Sequence, residues 1–371
     1  MTALEDLRLL PADVVRCGNY VFVAPTVGAD AAGRLVGEAD DGGYTQARIA
    51  FRRIELGLQS VGAELADVVQ TRMLLSPNGR RSLAARGEVL RDVKPSALGF
   101  RLESLAHAGA DVEIAAVAVV DERRTLLEDE SDFGRAAAYA RAFRVGGHVL
   151  IGGTVAADSA GALLAPDPAG QAHALLGRFA VQLAELGASL ADVVQTRIYL
   201  HSFDDLDAVA AVHAERLGDV RPATSVAEVF RFGGDETRVK LELEAIVGGA
   251  QRVDAGPDAW EATGCAGAVR AGEQILVAGR TAAGAGSAAA QCERILERIE
   301  ADLAALGASL GDVVQQHVYV AGREHLGELR EALRAALGER VATAFLLVRD
   351  VGRAGAAVQI DARAMIGRAA S

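Results

Sequence analysis

The seven residues ADVVQTR at Ala66 to Arg72 recur letter for letter at Ala191 to Arg197. A third, altered copy, GDVVQQH, stands at Gly311 to His317. The copies lie roughly 120 residues apart, and each follows a similar lead-in: VGAEL, LGASL and LGASL. A triple match of this length makes the chain three copies of one unit, which constrains the fold more than any composition can. Units of that size fold as compact domains and not as short solenoid repeats. The expected division is 1–124, 125–250 and 251–371.

Each unit carries the same order of signals. In the second, VGGHVLIGGT reads as a strand entering a glycine-containing loop. Leu175, Leu176, Phe179, Leu183 and Leu186 form an apolar stripe at helical spacing. The repeated run reads as a strand, Leu206, Val209 and Val212 mark a second helix, and RVKLELEAIV closes the unit. Strand, helix, strand, helix, strand predicts an α+β unit, a mixed sheet with two helices on one face. The charge-dense DERRTLLEDESD (121–132) and the glycine-containing GGAQRVDAGPDA (248–259) are expected to be linkers.

Strand side chains alternate between faces. This puts Val194, Thr196, Ile198 and Leu200 on a face expected to be covered by helices, and Val193, Gln195, Arg197 and Tyr199 on a polar one. The closing strands add Glu242 and Glu244 in unit two, Asp361 in unit three and Glu113 in unit one. Each unit thus offers a base and an acid: Arg72 with Glu113, Arg197 with Glu242, His317 with Asp361. One reading is a set of structural ion pairs or a solvated sheet face. The other is a set of ligand pockets.

The charge of −12 excludes a sequence-independent grip on nucleic acid. No apolar run reaches the roughly 20 residues that span a bilayer. MTALEDLRLL at the amino terminus does not read as a signal peptide. The sparse set Cys17, Cys265 and Cys292 fits a cytoplasmic protein, and neither it nor the histidines has metal-ligand spacing, so no metal and no cofactor are expected.

ADVVQTRIYL, RPATSVAEV (Arg221 to Val229) and VKLELEAIV (Val239 to Val247) make each unit resemble the RidA/YjgF family. Unit one repeats these through ADVVQTRMLL and DVEIAAVAVV, and unit three through GDVVQQHVYV and VQIDARAMI. The resemblance implies trimers whose sheets form a central barrel with helices outside and ligand clefts between neighbours. Three units in one chain would then build a pseudo-trimer, as a monomer or an assembly of whole pseudo-trimers. Family deaminases hydrolyse enamines and imines such as 2-aminoacrylate. They hold the substrate carboxylate with the arginine of a Pro-x-Arg motif, helped by a glutamate on the last strand and a tyrosine near the start of the unit. Here the arginine position is Ala97, Thr224 and Thr343, so ordinary imine deamination is not expected. The glutamate position is read as Glu113, Glu242 and Asp361, and the tyrosine position as Pro11, Tyr139 and Cys265.

The expected activity is cofactor-independent hydrolysis, elimination or proton transfer on a small carboxylate-bearing metabolite at an inter-unit cleft, in specialised biosynthesis. The alternatives are a non-catalytic binding or scaffold protein, or a lyase of the chorismate-cleaving type. Arg197, Glu242, His317 and Asp361 are the catalytic candidates. Arg72, Glu113, Tyr139, Thr224 and Cys265 are the candidates for binding an anionic ligand.

Overall fold

The structure, a computed structural model, describes residues 8–37, 41–234, 236–254, 256, 260 and 263–367. Most of the amino-terminal stretch read against a signal peptide lies outside them. The first unit holds β1 (Val14–Cys17), β2 (Tyr20–Thr26), α1 (Tyr44–Ser60), β3 (Val68–Leu75), α2 (Ser82–Val89), β4 (Ser96–Arg101) and β5 (Val112–Val119). The second holds β6 (Arg124–Glu128), α3 (Asp132–Ala136), β7 (Ala140–Val145), β8 (His148–Val155), α4 (Pro168–Glu185), β9 (Val193–Leu200), α5 (Leu206–Leu217), β10 (Ala223–Glu228) and β11 (Val239–Ile246). The third holds β12 (Gln251–Asp254), β13 (Ala266–Ala271), β14 (Gln274–Thr281), α6 (Ala288–Ala305), β15 (Val313–Ala321), α7 (Leu326–Leu337), β16 (Ala342–Val348) and β17 (Val358–Met365).

Five strands follow the same order in all three units, and the second and third add an edge strand: β1-β2-β5-β3-β4, then β6-β7-β8-β11-β9-β10, then β12-β13-β14-β17-β15-β16. In each unit one pair is parallel, β3 with β4, β9 with β10 and β15 with β16, so the sheets are mixed. The two expected linkers each contain a strand; residues 255 and 257–259 of the second lie outside the described residues. Arg124–Glu128 pairs with β7 and Gln251–Asp254 with β13, so each supplies the edge strand of the unit that follows. Their charge density is that of an exposed edge, which natural sheets protect with charged side chains.

The repeated run has a local reason at each end. Gly62, Gly187 and Gly307 close the first helices with φ of 73°, 68° and 80°, a left-handed turn that glycine takes without penalty. Next, Glu64, Ser189 and Ser309 form capping boxes with Asp67, Asp192 and Asp312, fixing a tight turn before the strand. The two valines then contain a bulge. Gln195 pairs with Glu244 and Val193 with Ala245, so Val194 is the extra residue, as are Val69 and Val314 in their units. This corrects the simple alternation. Val193 joins the helix-side core, whereas Val194 packs with Ala223, Ala266 and Val269 on the other side.

Each helix pair covers its own sheet. Leu175, Leu176, Phe179 and Leu183 pack on Ile198, Leu200, Leu241 and Leu243. Each such fully buried side chain contributes ~1.5–3 kcal/mol. The opposite faces turn towards one another: Leu98 and Phe100 of unit one share a cluster with Tyr199 and Val229 of unit two and Tyr319 and Leu346 of unit three. Contacts between units run in one sense, β4 on β8, β10 on β14 and β16 on β2. Units two and three also share a parallel pairing at Ala223 and Ala266, and units one and two an antiparallel bridge between Arg101 and Arg231.

The approach of β4 to β8 depends on Gly152, where a Cβ would overlap the Ala97 carbonyl oxygen. Gly152→Ala should therefore destabilise the protein by about 1–3 kcal/mol. Gly177→Ala, inside α4 with open space around it, should be neutral or stabilising by about 0.5–1 kcal/mol. Thermal melts of both variants check this, and a Gly152→Ala protein as stable as the parent would contradict the packing.

Candidate functional site

The polar faces meet in one buried network. Glu242 Oε2 accepts from Arg72 Nη2 at 3.0 Å, and Gln70 Nε2 donates to Glu242 Oε1 at 3.1 Å. Arg197 Nε donates to Asp361 Oδ2 at 3.0 Å, and its Nη1 lies 3.4 Å from Glu244 and 3.7 Å from Glu242. His317 Nδ1 lies 2.8 Å from Asp361, which also accepts from Tyr319 and Ser225. Arg363 pairs with Glu244, whose second partner is His148 Nε2 at 3.0 Å. None of Arg72, Arg197, His317, Glu242 and Asp361 is more than 5% exposed, so this is not a solvated sheet face.

One expected pair is corrected. Arg72 stands opposite Ala115 in its ladder, not Glu113, so the glutamate position of unit one is Ala115; Glu113 lies one pair further along the same face. Arg72 instead reaches Glu242 of unit two. Arg197 pairs with Glu242 as read, opposite it in the ladder and 3.7 Å away, and adds a closer carboxylate, Asp361 of unit three. His317 with Asp361 is also paired as read. Face parity located the acids; register and neighbouring units decided the partners.

The electrostatics follow from burial and pairing. Burial alone would raise the Asp361 carboxyl, but Arg197 and His317 hold it well below the usual range. Glu244 is held down likewise by Arg363 and His148. Burial and the Arg72 charge push the His317 imidazole to about 3 against the pull of Asp361, so it is neutral. Burial lowers His148 as well, although Glu244 opposes the shift.

Two of the three seams between units are stitched shut. At the first, Arg86 of α2 donates to the carbonyls of Ala137, Ala138 and Pro95 and to Thr71 Oγ1. At the second, His213 of α5 does the same work: Nδ1 donates to the Thr263 carbonyl at 2.7 Å, and Nε2 contacts Thr196 Oγ1 at 2.9 Å. Thr196 Oγ1 lies 3.0 Å from Thr224 Oγ1. Burial takes His213 to about 4. A second stitch crosses each seam from the last strand: Lys240 Nζ donates to the Gly99 carbonyl and Gln359 Nε2 to the Val226 carbonyl. Thr224 and Cys265 lie buried in these seams and Tyr139 half-buried. Tyr139 Oη is 3.3 Å from Thr154 Oγ1, and burial raises the Cys265 thiol, which makes it a poor nucleophile.

The third seam, between units three and one, is built differently. The residue equivalent to Lys240 and Gln359 is Glu113, whose carboxylate has no proton to donate to a carbonyl. Glu113 Oε1 turns to its own unit, accepting from the His107 backbone N–H at 2.7 Å and lying 3.1 Å from His107 Nδ1. Beside them is a cavity of about 390 Å³ lined by Val27, Leu35, His107, Arg323, Leu326 and Arg330, among others. Arg323 donates to the Leu105 carbonyl and Arg330 Nη2 to the Ala106 carbonyl at 3.2 Å, so both guanidinium groups come to one dipeptide. Among the described residues neither has a carboxylate partner. Of this site only Glu113 was legible in advance. Arg323 lies in the 3-10 turn that precedes α7 and Arg330 within α7, so only the seven-residue spacing of the two arginines was available as a signal; His107, in an irregular loop, offers none.

The family model described as endoribonuclease L-PSP matches residues 11–120, 130–248 and 262–366. The chain therefore belongs to this family, the RidA/YjgF family, as three tandem units. It is 33% identical over 119 residues to an uncharacterized protein of Streptomyces coelicolor, covering 32% of this chain and 86% of that one. It is 32% identical over 109 residues to a RutC family protein of Pyrococcus abyssi, covering 29% and 84%. Among solved structures, a YjgF/YER057c/UK114 family member from Mycobacterium tuberculosis is 36% identical, covering 34% of this chain and 100% of that one at a TM-score of 0.31. A chorismatase is 15% identical with a TM-score of 0.54, covering 81% of this chain and 93% of that one, and so shares the fold across several units. No helix among the described residues is long and apolar enough to cross a membrane.

Arg197→Met should leave Asp361 and Glu244 undercompensated in the interior and cost about 3–5 kcal/mol in chemical denaturation. A cost under 1 kcal/mol would mean that the network is not closed. The network also sets a pH dependence. His148, His213 and His317 have lowered values in the fold, so below about pH 6.5 the unfolded chain takes up protons that the folded one refuses. Asp361 and Glu244, held down, add stability above about pH 4 that is lost below it. Both effects act in one direction: denaturation midpoints should fall steadily from pH 7.5 to pH 5, then steeply below pH 4. A midpoint unchanged between pH 7.5 and pH 5 would contradict the neutral buried histidines.

Proposed function

We propose that the protein is a cofactor-independent cytoplasmic enzyme of specialised metabolism. It acts on a small carboxylate-bearing metabolite in the cleft between its third and first units, and the single chain serves as the counterpart of a trimer. The observation that carries this reading is the cavity of about 390 Å³ with Arg323 and Arg330 in its lining, next to a histidine held by a buried glutamate. Two guanidinium groups drawn to one place suit a carboxylate, which accepts parallel hydrogen bonds from such groups. A net charge of −12 does not favour polyanionic RNA as the substrate.

Membership of the RidA/YjgF family and the shared fold of a chorismatase support a role in processing small molecules. The absence of arginine at Ala97, Thr224 and Thr343 sets the reaction apart from ordinary imine deamination, and proton transfer, elimination and hydrolysis fit the cleft. A purely binding role is the alternative; the His107–Glu113 pair favours chemistry.

Calorimetry with a panel of mono- and dicarboxylates of three to six carbons tests the reading. The parent protein should bind at least one, and Arg323→Ala or Arg330→Ala should each weaken that binding about tenfold or more. Arg294→Ala, which removes an exposed ion pair on α6, should leave binding unchanged. Binding that survives both cleft substitutions would sink the proposal.

A further inference from the structure

We propose that His107 is the catalytic base of this cleft, that Glu113 is its positioning residue, and that the substrates are small 2-oxo carboxylates deprotonated at the carbon beside the ketone. The inference rests on the reading of the cleft as the ligand site. The geometry is that of an oriented imidazole. Glu113 is 1% exposed and fixed from two sides, by the His107 backbone N–H and by Nδ1. With Nδ1–H donated to the carboxylate, the proton-free nitrogen is Nε2. The His107 side chain is 48% exposed while its partner is closed off, so the ring is anchored at one edge and open at the other.

The rest of the lining selects the reaction. Among the described residues no serine, cysteine or lysine lines the cavity, so these supply no nucleophile for covalent catalysis. Among the described residues of the lining, His107 is the only titratable group besides the two arginines, and imidazole is the side chain best matched to moving a proton near neutral pH. A single base beside two fixed cations can abstract a proton and hold the resulting anion. Imidazole needs an acidified C–H bond, which a neighbouring ketone supplies. Val27, Leu35 and Leu326 leave an apolar wall for a short carbon chain.

The step balances without a co-reactant. Nε2 takes the proton from the carbon, and the electron pair of the C–H bond moves into the carbonyl to give an enolate. Arg323 and Arg330 face the carboxylate and the new oxyanion, a charge that a preorganised donor stabilises more strongly than it does the starting ketone. Glu113 compensates the imidazolium. Returning the proton, or a deuteron from exchanged solvent, regenerates neutral His107, and nothing is oxidised or reduced.

The experiment follows exchange in deuterium oxide. Pyruvate, 2-oxobutyrate and 2-oxoglutarate are incubated with the full-length protein, and the proton signal beside the ketone is followed by NMR against a protein-free blank. Calorimetry measures binding of the same acids. At least one acid should bind and exchange faster than the blank. His107→Gln should bind it within a few-fold of the parent and lose about a hundredfold or more of the added exchange. Glu113→Gln should lose less, through the rate and not through binding. Added imidazole should restore part of the rate to His107→Ala. Thermal melts confirm that these variants fold. Exchange that survives His107→Gln overturns the assignment of the base. Binding without exchange in the parent overturns the base and leaves the ligand site standing. Neither binding nor exchange with any of the three overturns the substrate class and the base, while binding of another carboxylate of the wider panel, lost in Arg323→Ala, would keep the ligand site.

Discussion

The rest of the structure depends on the ion network buried where the three sheets face one another. A lone charge in such a place costs several kcal/mol and persists only when it is paired and hydrogen-bonded. Here three arginines, Arg72, Arg197 and Arg363, meet three carboxylates, Glu242, Glu244 and Asp361. Their partners lie in different units, so the network ties the units in one register. The apolar cores under the helices supply most of the stability; the network selects how the units meet, because any other arrangement leaves a charge unpaired.

A single chain makes this network possible. Equivalent ladder positions hold Arg72, Arg197 and His317 in one set, Ala115, Glu242 and Asp361 in the next, and Val117, Glu244 and Arg363 in the third. Three identical subunits would put three copies of one residue at each position, and like charges would collect. Divergence within one chain lets an arginine of one unit face a carboxylate of the next, and lets His317 stay neutral where a third guanidinium would repel the other two.

The same divergence separates the seams. Lys240 and Gln359 carry donors and reach across to a strand carbonyl of the preceding unit. Glu113 carries only acceptors, so the corresponding link does not form and the carboxylate orients His107. The exchange of donor for acceptor removes that link from the third seam, which Arg323 and Arg330 cross instead at the Leu105 and Ala106 carbonyls beside the cavity. Arg86 and His213, from equivalent helices, seal the first two against the segments that continue the chain into the next unit.

The sequence by itself determined the repeat, the two helices and three strands of each unit and the polar face of those strands, because these depend on local patterns: glycine after a helix, a capping box before a strand, alternation along it. It also marked Arg72, Arg197, Glu242, His317 and Asp361 as a set. It missed β1, β7 and β13, which open the hairpins, and the parallel strands β4, β10 and β16 after the second helices. What lay beyond it was distance between units. Alternation cannot tell Glu113 from Ala115 as the partner position of Arg72, since the closing strand runs polar at one and small at the other and register alone chooses. Nor can it show that Arg72 pairs with Glu242, that Val194 is displaced by a bulge, or that charged edge segments are strands and not linkers. The cleft lined by His107, Arg323 and Arg330 exists only once the third unit is laid against the first, because its residues come from a loop and a helix more than two hundred positions apart. Local propensity determined the units; the tertiary structure decided how their seams differ, because Lys240 and Gln359 can donate to a carbonyl across a seam and the Glu113 carboxylate cannot.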